Sequence, residues 1–167
     1  MEIEKSKFEL SLKNGPHNKL SQLIGKWEGV SKVWFEKDIL ADESPISGTI
    51  TSILDGRFVL HQYRSSMSEK PIEGLAIIAY SFELSNYQTA WVDSFHTGTG
   101  IMFSEGSETP AGHSVLGSYG ADLPEPWGWR TDVDVISPTE IVISAYNIPP
   151  GEEGVKATEI RYHKVGD

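Results

Sequence analysis

The sequence predicts an all-β protein: a single antiparallel, up-and-down β-barrel of about ten strands with a short helix at its N-terminal end. Three observations carry this prediction. From residue 26 onward, short runs of alternating apolar and polar residues follow one another, separated by turn residues, which is the period-2 signature of strands. No helical pattern long enough to cross over a sheet interrupts these runs, which argues against a parallel α/β sheet. Finally, an amphipathic stretch leads into Leu23-Ile24-Gly25-Lys26-Trp27-Glu28-Gly29. There Gly25 can take the positive φ that stops a helix, and Trp27 supplies a large apolar wedge for a barrel floor. Antiparallel strands in simple succession remove their edges by closing. Strand spacing alone is also compatible with a β-sandwich.

Taken in order, residues 1–16 are polar and mixed and read as a flexible arm, leaving 17–167 as one barrel domain. Within 17–24, Leu20, Leu23 and Ile24 fall at i, i+3 and i+4 on one helical stripe, with Pro16 where a helix start tolerates it. Strands are expected at 26–36, 46–54, 57–65, 73–81, 87–95, 99–106, 113–120, 129–136, 140–147 and 155–165. Asp55-Gly56 marks a tight hairpin, and Ser85-Asn86, Thr97-Gly98 and Ser137-Pro138 mark later turns. Pro124 and Pro126 forbid an interior strand, so 122–129 reads as a rigid flap at the barrel mouth carrying Trp127 and Trp129.

The composition narrows the partners. Fourteen basic against 24 acidic residues give a net charge of −10, with no basic block. That excludes a phosphate-backbone binder and disfavours docking on an anionic membrane. The absence of cysteine excludes disulfides and thiolate metal sites. Residues 1–7 hold no apolar signal core, and no apolar run approaches the roughly 18 residues of a membrane span. The expectation is a soluble, cytoplasmic protein.

Gly25-Lys26-Trp27-Glu28-Gly29, Leu54-Asp55-Gly56-Arg57-Phe58, Trp91-Val92-Asp93-Ser94, the stretch from Gly98 to Gly106, Trp129-Arg130 and Glu159-Ile160-Arg161-Tyr162 occur in one order along residues 17–165. In these the chain resembles the calycin group of lipocalins, fatty-acid-binding proteins and nitrobindins. It is most similar to an uncharacterised, mostly bacterial lipocalin-like family of unknown function. The resemblance implies a ligand-holding barrel in which Gly25 and Trp27 are structural. It also implies a basic residue of a late strand packed over Trp27, for which Arg161 is the candidate. The nitrobindin likeness implies haem held by a histidine near the C-terminus. His163 is the only one there, and Tyr162-His163-Lys164 does not reproduce that ligand's context.

Alternation places one set of side chains inward on each strand. In the third strand His61 and Tyr63 share a face against Phe58 and Leu60, and a one-residue bulge reverses which face is inside. In the first strand Trp27, Gly29, Ser31, Val33 and Phe35 share a face. Asp93, between Trp91 and Phe95, must be hydrogen-bonded if buried: it either serves the turn at 97–100 or acts as a cavity acid or imidazole orienter. Arg130 and the charged residues of the last strand read as solvated, or as head-group contacts if they face inward.

The ligand expected is a small, largely apolar or amphipathic molecule with a polar head. Tyr119, Trp127, Trp129 and Tyr146 would supply apolar wall, and His61, Tyr63, Asp93 and Arg130 polar contacts. An enzymatic alternative, isomerase- or cyclase-type acid–base chemistry, pairs Asp93 with His61 or His96 and has Tyr63 as proton donor. A filled barrel acting through its surface, as a homo-oligomer, is a further alternative. The five histidines show no ligand spacing, and no nucleophile elbow or phosphate-binding glycine motif occurs, so no metal or other cofactor is expected beyond the haem reading.

Overall fold

The computed structural model describes residues 1–167. Two helices, α1 (Glu2–Asn14) and α2 (Pro16–Ser21), precede ten strands. These are β1 (Gly25–Glu36), β2 (Ile39–Ile53), β3 (Phe58–Met67), β4 (Lys70–Ser81), β5 (Asn86–Asp93), β6 (Met102–Glu108), β7 (Gly112–Tyr119), β8 (Trp127–Ser137), β9 (Glu140–Ile148) and β10 (Val155–Gly166). Each strand pairs antiparallel with the next, and β10 returns to β1, so the sheet closes into a barrel rather than a sandwich. No helix is long and apolar enough to cross a membrane.

Up-and-down connectivity puts five loops at one end, the mouth, and the helices with the remaining loops at the other, the floor. The hairpin predicted at Asp55-Gly56 is present as a four-residue connection: Leu54 (φ 50°), Asp55 (φ 57°) and Gly56 (φ 85°) all lie in the left-handed region, and the Arg57 N–H donates to the Leu54 carbonyl at 3.3 Å.

Leu20, Leu23 and Trp27 close the floor, each at most 2 % exposed. The Trp27 Nε1–H donates to the Leu23 carbonyl at 2.9 Å, which ties the end of the helical segment to the first strand. Helix α2 stops at Ser21, so Gly25 is not its cap. Gly25 instead opens β1 at φ 157°, where an added Cβ would approach the Gly166 carbonyl oxygen to 3.1 Å. The cation over Trp27 is Lys164, whose Nζ lies 5.7 Å from the ring centroid, and not Arg161. In β10 Thr158, Ile160 and Tyr162 face the interior, so Arg161 faces out and pairs with Glu159 at 3.0 Å.

Residues 2–14, expected to be a loose arm, form α1 instead. It is fastened by polar and aromatic contacts rather than by an apolar stripe, which is why hydrophobic periodicity did not reveal it. Ser11 Oγ bonds His17 Nδ1 at 2.8 Å, the Phe8 ring meets His17 edge-on at 5.0 Å, and the Arg57 guanidinium lies 4.9 Å over Phe8. A second departure is Phe35, which is 67 % exposed although it shares sequence parity with Trp27 and Val33. The register against β2 shifts between Val33 and Trp34 and again before Glu36, and this bulge turns Phe35 outward.

One cross-strand row organises the interior: Trp27, Gly48, Tyr63, Gly74 and Asp93 lie side by side on β1 to β5. The two glycines leave room that large side chains occupy. A Cβ at Gly74 would overlap the end of the Tyr63 ring, and one at Gly48 would overlap the Tyr162 hydroxyl. Deeper in the core, His113 stacks on Tyr87 with centroids 4.6 Å apart and planes 6° from parallel.

Two predictions follow from this core. Burial pushes His61 and His113 down to about 4 from the usual 6.5, His113 against an opposing pull from Asp132. Between those values the unfolded chain binds more protons than the folded one. Stability is therefore complete above about pH 6.5 and is lost on acidification toward pH 4, at about 1.4 kcal/mol per pH unit for each imidazole. Urea midpoints measured at successive pH values should fall over this window and fall less steeply in His113→Phe; an equal slope in the variant contradicts the assignment. Secondly, Gly74→Ala should cost about 1–3 kcal/mol through overpacking against Tyr63. Combined with Tyr63→Ala the two costs should be clearly less than additive in a double-mutant cycle, whereas additivity would mean that the glycine serves another purpose.

Candidate functional site

The face of β3 that points inward is the polar one. Val59 and His61 are buried and Tyr63 lines the interior, while Phe58 and Leu60 are only partly covered on the other side. Gly74 of β4 makes this possible, because it accepts the end of the Tyr63 ring on the inner side.

Above the floor cluster lies a cavity of about 100 Å³, lined by residues of β1–β6 and β8–β10 and by His96. That volume matches about three water molecules. Its wall combines Trp91, Trp129, Val133, Ile143 and Ala145 with the hydroxyls of Ser31, Thr89, Ser104, Thr131 and Thr158. No lysine or arginine lines it. A larger groove of about 770 Å³ crosses the outer face of β1–β5, but it is an open surface depression bordered by Lys26, Glu28, Arg64 and Glu73.

Asp93 is the hub of the cavity wall. Its Oδ1 accepts the backbone N–H groups of Phe95 (2.9 Å) and His96, and its Oδ2 accepts the Tyr63 hydroxyl (2.9 Å) and His96 Nδ1 (2.8 Å). The Thr97 hydroxyl clamps the same turn through the backbone N–H and carbonyl of Asp93. The carboxylate thus caps the turn through the N–H groups of residues 95 and 96, not through 97–100 as expected, and at the same time orients the His96 imidazole. Burial acts to raise its pKa, but the His96 and backbone hydrogen bonds outweigh it and hold the carboxyl below its ordinary value. With both oxygens doubly engaged, an ionised Asp93 has no acceptor site left for a guest.

Tyr63 is similarly committed. Its hydroxyl receives the Trp91 Nε1–H at 2.9 Å and donates to Asp93, and burial, with the Asp93 charge behind it, raises its pKa. His61 bonds the Tyr162 hydroxyl through Nε2 at 3.0 Å and stays uncharged. Two imidazole nitrogens on the cavity wall are left without a hydrogen-bond partner, His61 Nδ1 and, beside the Asp93 network, His96 Nε2. The His96 ring sits among Phe95 (4.8 Å), Trp91 (5.4 Å) and Trp129 (5.7 Å), and the two indoles stack at 5.4 Å.

Of the residues expected at the site, His61, Tyr63, Asp93 and Trp129 come together on the cavity wall. Tyr119 and Trp127 lie at the mouth end of β7 and β8, their rings 6.3 Å apart, and Tyr119 donates to Asn147 Oδ1 at 2.7 Å. They form rim rather than wall. Trp127 and Trp129 are strand residues, since β8 begins at Trp127 and the proline segment ends before it. Arg130 and Tyr146 are not in the cavity: they occupy the outer faces of β8 and β9, with the guanidinium 4.3 Å over the Tyr146 ring and its Nε 3.3 Å from Asp132. His163 is likewise exposed on the outer face of β10, so the haem reading loses its only proposed ligand. The interior hydroxyls went unassigned, although strand parity with Asp93, Trp129 and Ile160 points them inward.

No curated protein matches this chain in sequence. Among solved structures, an S-type phycobiliprotein lyase, CPES, from Guillardia theta is similar in fold, with a TM-score of 0.56 at 9% identity over 90% of this chain and 92% of that one. The lipocalin-like barrel is therefore shared where the sequence is not. The family described as "Protein of unknown function (DUF1579)" matches residues 13–164, nearly the whole barrel together with α2, and the chain belongs to that family.

Proposed function

We propose that the barrel binds a small amphipathic molecule at its mouth, with the polar head inside the cavity and the apolar remainder across the rim. The observation that carries this reading is the His96 ring. It is fixed by a saturated carboxylate and walled by aromatic residues, and it leaves one nitrogen, Nε2, for a guest. A cavity of about 100 Å³ admits a head group and not a whole lipid. Beyond it, half-exposed Phe95 and exposed Phe35 stand 6.4 Å apart and offer an apolar surface for the rest. The fold shared with a phycobiliprotein lyase supports small-molecule binding by such a barrel.

The same geometry favours binding over acid–base catalysis. The Tyr63 hydroxyl is held in its hydrogen bond to Asp93, so the proton donor that acid–base chemistry would need beside His96 is already engaged.

Native mass spectrometry of protein purified from its own host should show a small molecule that is released on unfolding. In vitro, 1-hexanol should quench or shift the emission of Trp91 and Trp129. Ala145→Leu, which fills the cavity from its wall, should abolish that response while melting within a few degrees of the parent protein. A response unchanged in a folded Ala145→Leu protein places the hexanol elsewhere and overturns the reading.

A further inference from the structure

The charges around the cavity carry the argument one step further, to the chemical class of the guest, and this step rests on the binding reading above. The only formal charge on the cavity wall is the Asp93 carboxylate, and no lysine or arginine lines it. Asp93 cannot touch a guest, because its acceptor sites are filled, yet its field acts across the His96 ring to which it is bonded. An ionised carboxylate only accepts, so His96 Nδ1 carries the shared proton, and in the neutral ring Nε2 then presents a lone pair.

Two opposite guests then leave different charge balances. A protonated amine donates an N–H to Nε2, and its charge offsets that of Asp93, leaving the site neutral. A carboxylate must first draw a second proton onto His96, and the site still ends with one uncompensated negative charge in a largely enclosed space. Burying such a charge is costly. The aromatic surroundings act in the same direction, since Trp91, Trp129 and Phe95 stand around His96 and an aromatic ring attracts cations, not anions, to its face.

An independent observation lies outside the cavity. The five loops that ring the mouth carry Asp38, Glu69, Asp122, Glu125, Glu152 and Glu153 and a single cation, Lys37. A mouth of that sign raises the local concentration of cations and repels anions. We infer that the guest is a small amphiphilic amine, bound as its ammonium form, with the charged nitrogen at His96 Nε2 and the aliphatic or aromatic tail on the rim.

Three probes of one chain length separate the possibilities: hexylammonium, 1-hexanol and hexanoate, titrated into the intact protein near neutral pH with tryptophan emission as readout. Hexylammonium should bind at least about tenfold more tightly than hexanoate, with hexanol between them. His96→Asn keeps a side-chain N–H where Nδ1 donates to Asp93 but removes Nε2, and it should bring hexylammonium down to the level of hexanol. Hexanol binding with hexanoate equal to or tighter than hexylammonium overturns the amine assignment and leaves the binding barrel standing. Binding of none of the three overturns both. A preference for ammonium that disappears entirely at high salt, or that survives in His96→Asn, places it on the screened loop charges and overturns the cavity site.

Discussion

Closure of the sheet between β1 and β10 is the constraint on which the rest of the molecule depends. An open sheet can leave one face to water; a closed one has an interior of finite volume that side chains must fill or leave as cavity. At the floor this is met by Trp27, Leu20, Leu23, Tyr87 and Tyr162, all at most 2 % exposed. Toward the mouth the inward positions change in size. Glycines stand at 48 and 74, alanines at 76, 145 and 157, and serines and threonines on most strands. The cavity is therefore a property of the inward sequence of several strands at one level and not of a single loop.

The same closure explains how a carboxylate can be buried where no basic side chain lines the wall. Asp93 ends β5, where the chain leaves the sheet, and the turn that follows returns two backbone N–H groups and an imidazole onto it. The row of residues across β1–β5 adds the Tyr63 hydroxyl from the side, through the space left by Gly74. The carboxylate is stabilised by hydrogen bonds to its charged form, the arrangement that lowers a pKa despite desolvation. Removing any one donor would leave part of a buried charge uncompensated, so this network holds the His96 ring to one orientation and one tautomer.

What was legible in the sequence follows from the range of the physics involved. Strand existence, the Asp55-Gly56 turn and the Trp27 plug depend on neighbours along the chain, and these agree with the structure. His61, Tyr63 and Asp93 stand out in the sequence because polar residues amid apolar ones need partners wherever the strand points, and the structure places them with Trp129 on the cavity wall. The departures at Arg130, Tyr146, Arg161 and Phe35 concern which way a strand faces. Arg130 and Tyr146 were assigned to the ligand, yet they meet each other outside, because parity in β8 is set by Trp129 and Val133 filling the interior. Arg161 gave way to Lys164 for the same reason in β10, and Phe35 was turned out by a bulge whose register depends on β2. Helix α1 was missed because its attachment runs through Ser11, Phe8 and His17, a mixture that no apolar period reports.

The two ends of the barrel divide the histidines by task, and the division depends on how each ring's partners are arranged. Toward the floor, His113 is stacked flat on Tyr87 and its Nε2 has no protein partner; its surroundings disfavour charge, so it serves as a packing ring. Midway, His61 bonds a tyrosine hydroxyl that is itself pushed upward by burial, a neutral pair that costs little to bury when both members stay uncharged. Only at the mouth is an imidazole paired with an ionised carboxylate and placed beside the open cavity. On the proposed binding reading, contact with a guest concentrates at His96, and the rest of the cavity wall holds no other ionised side chain to receive a charged group.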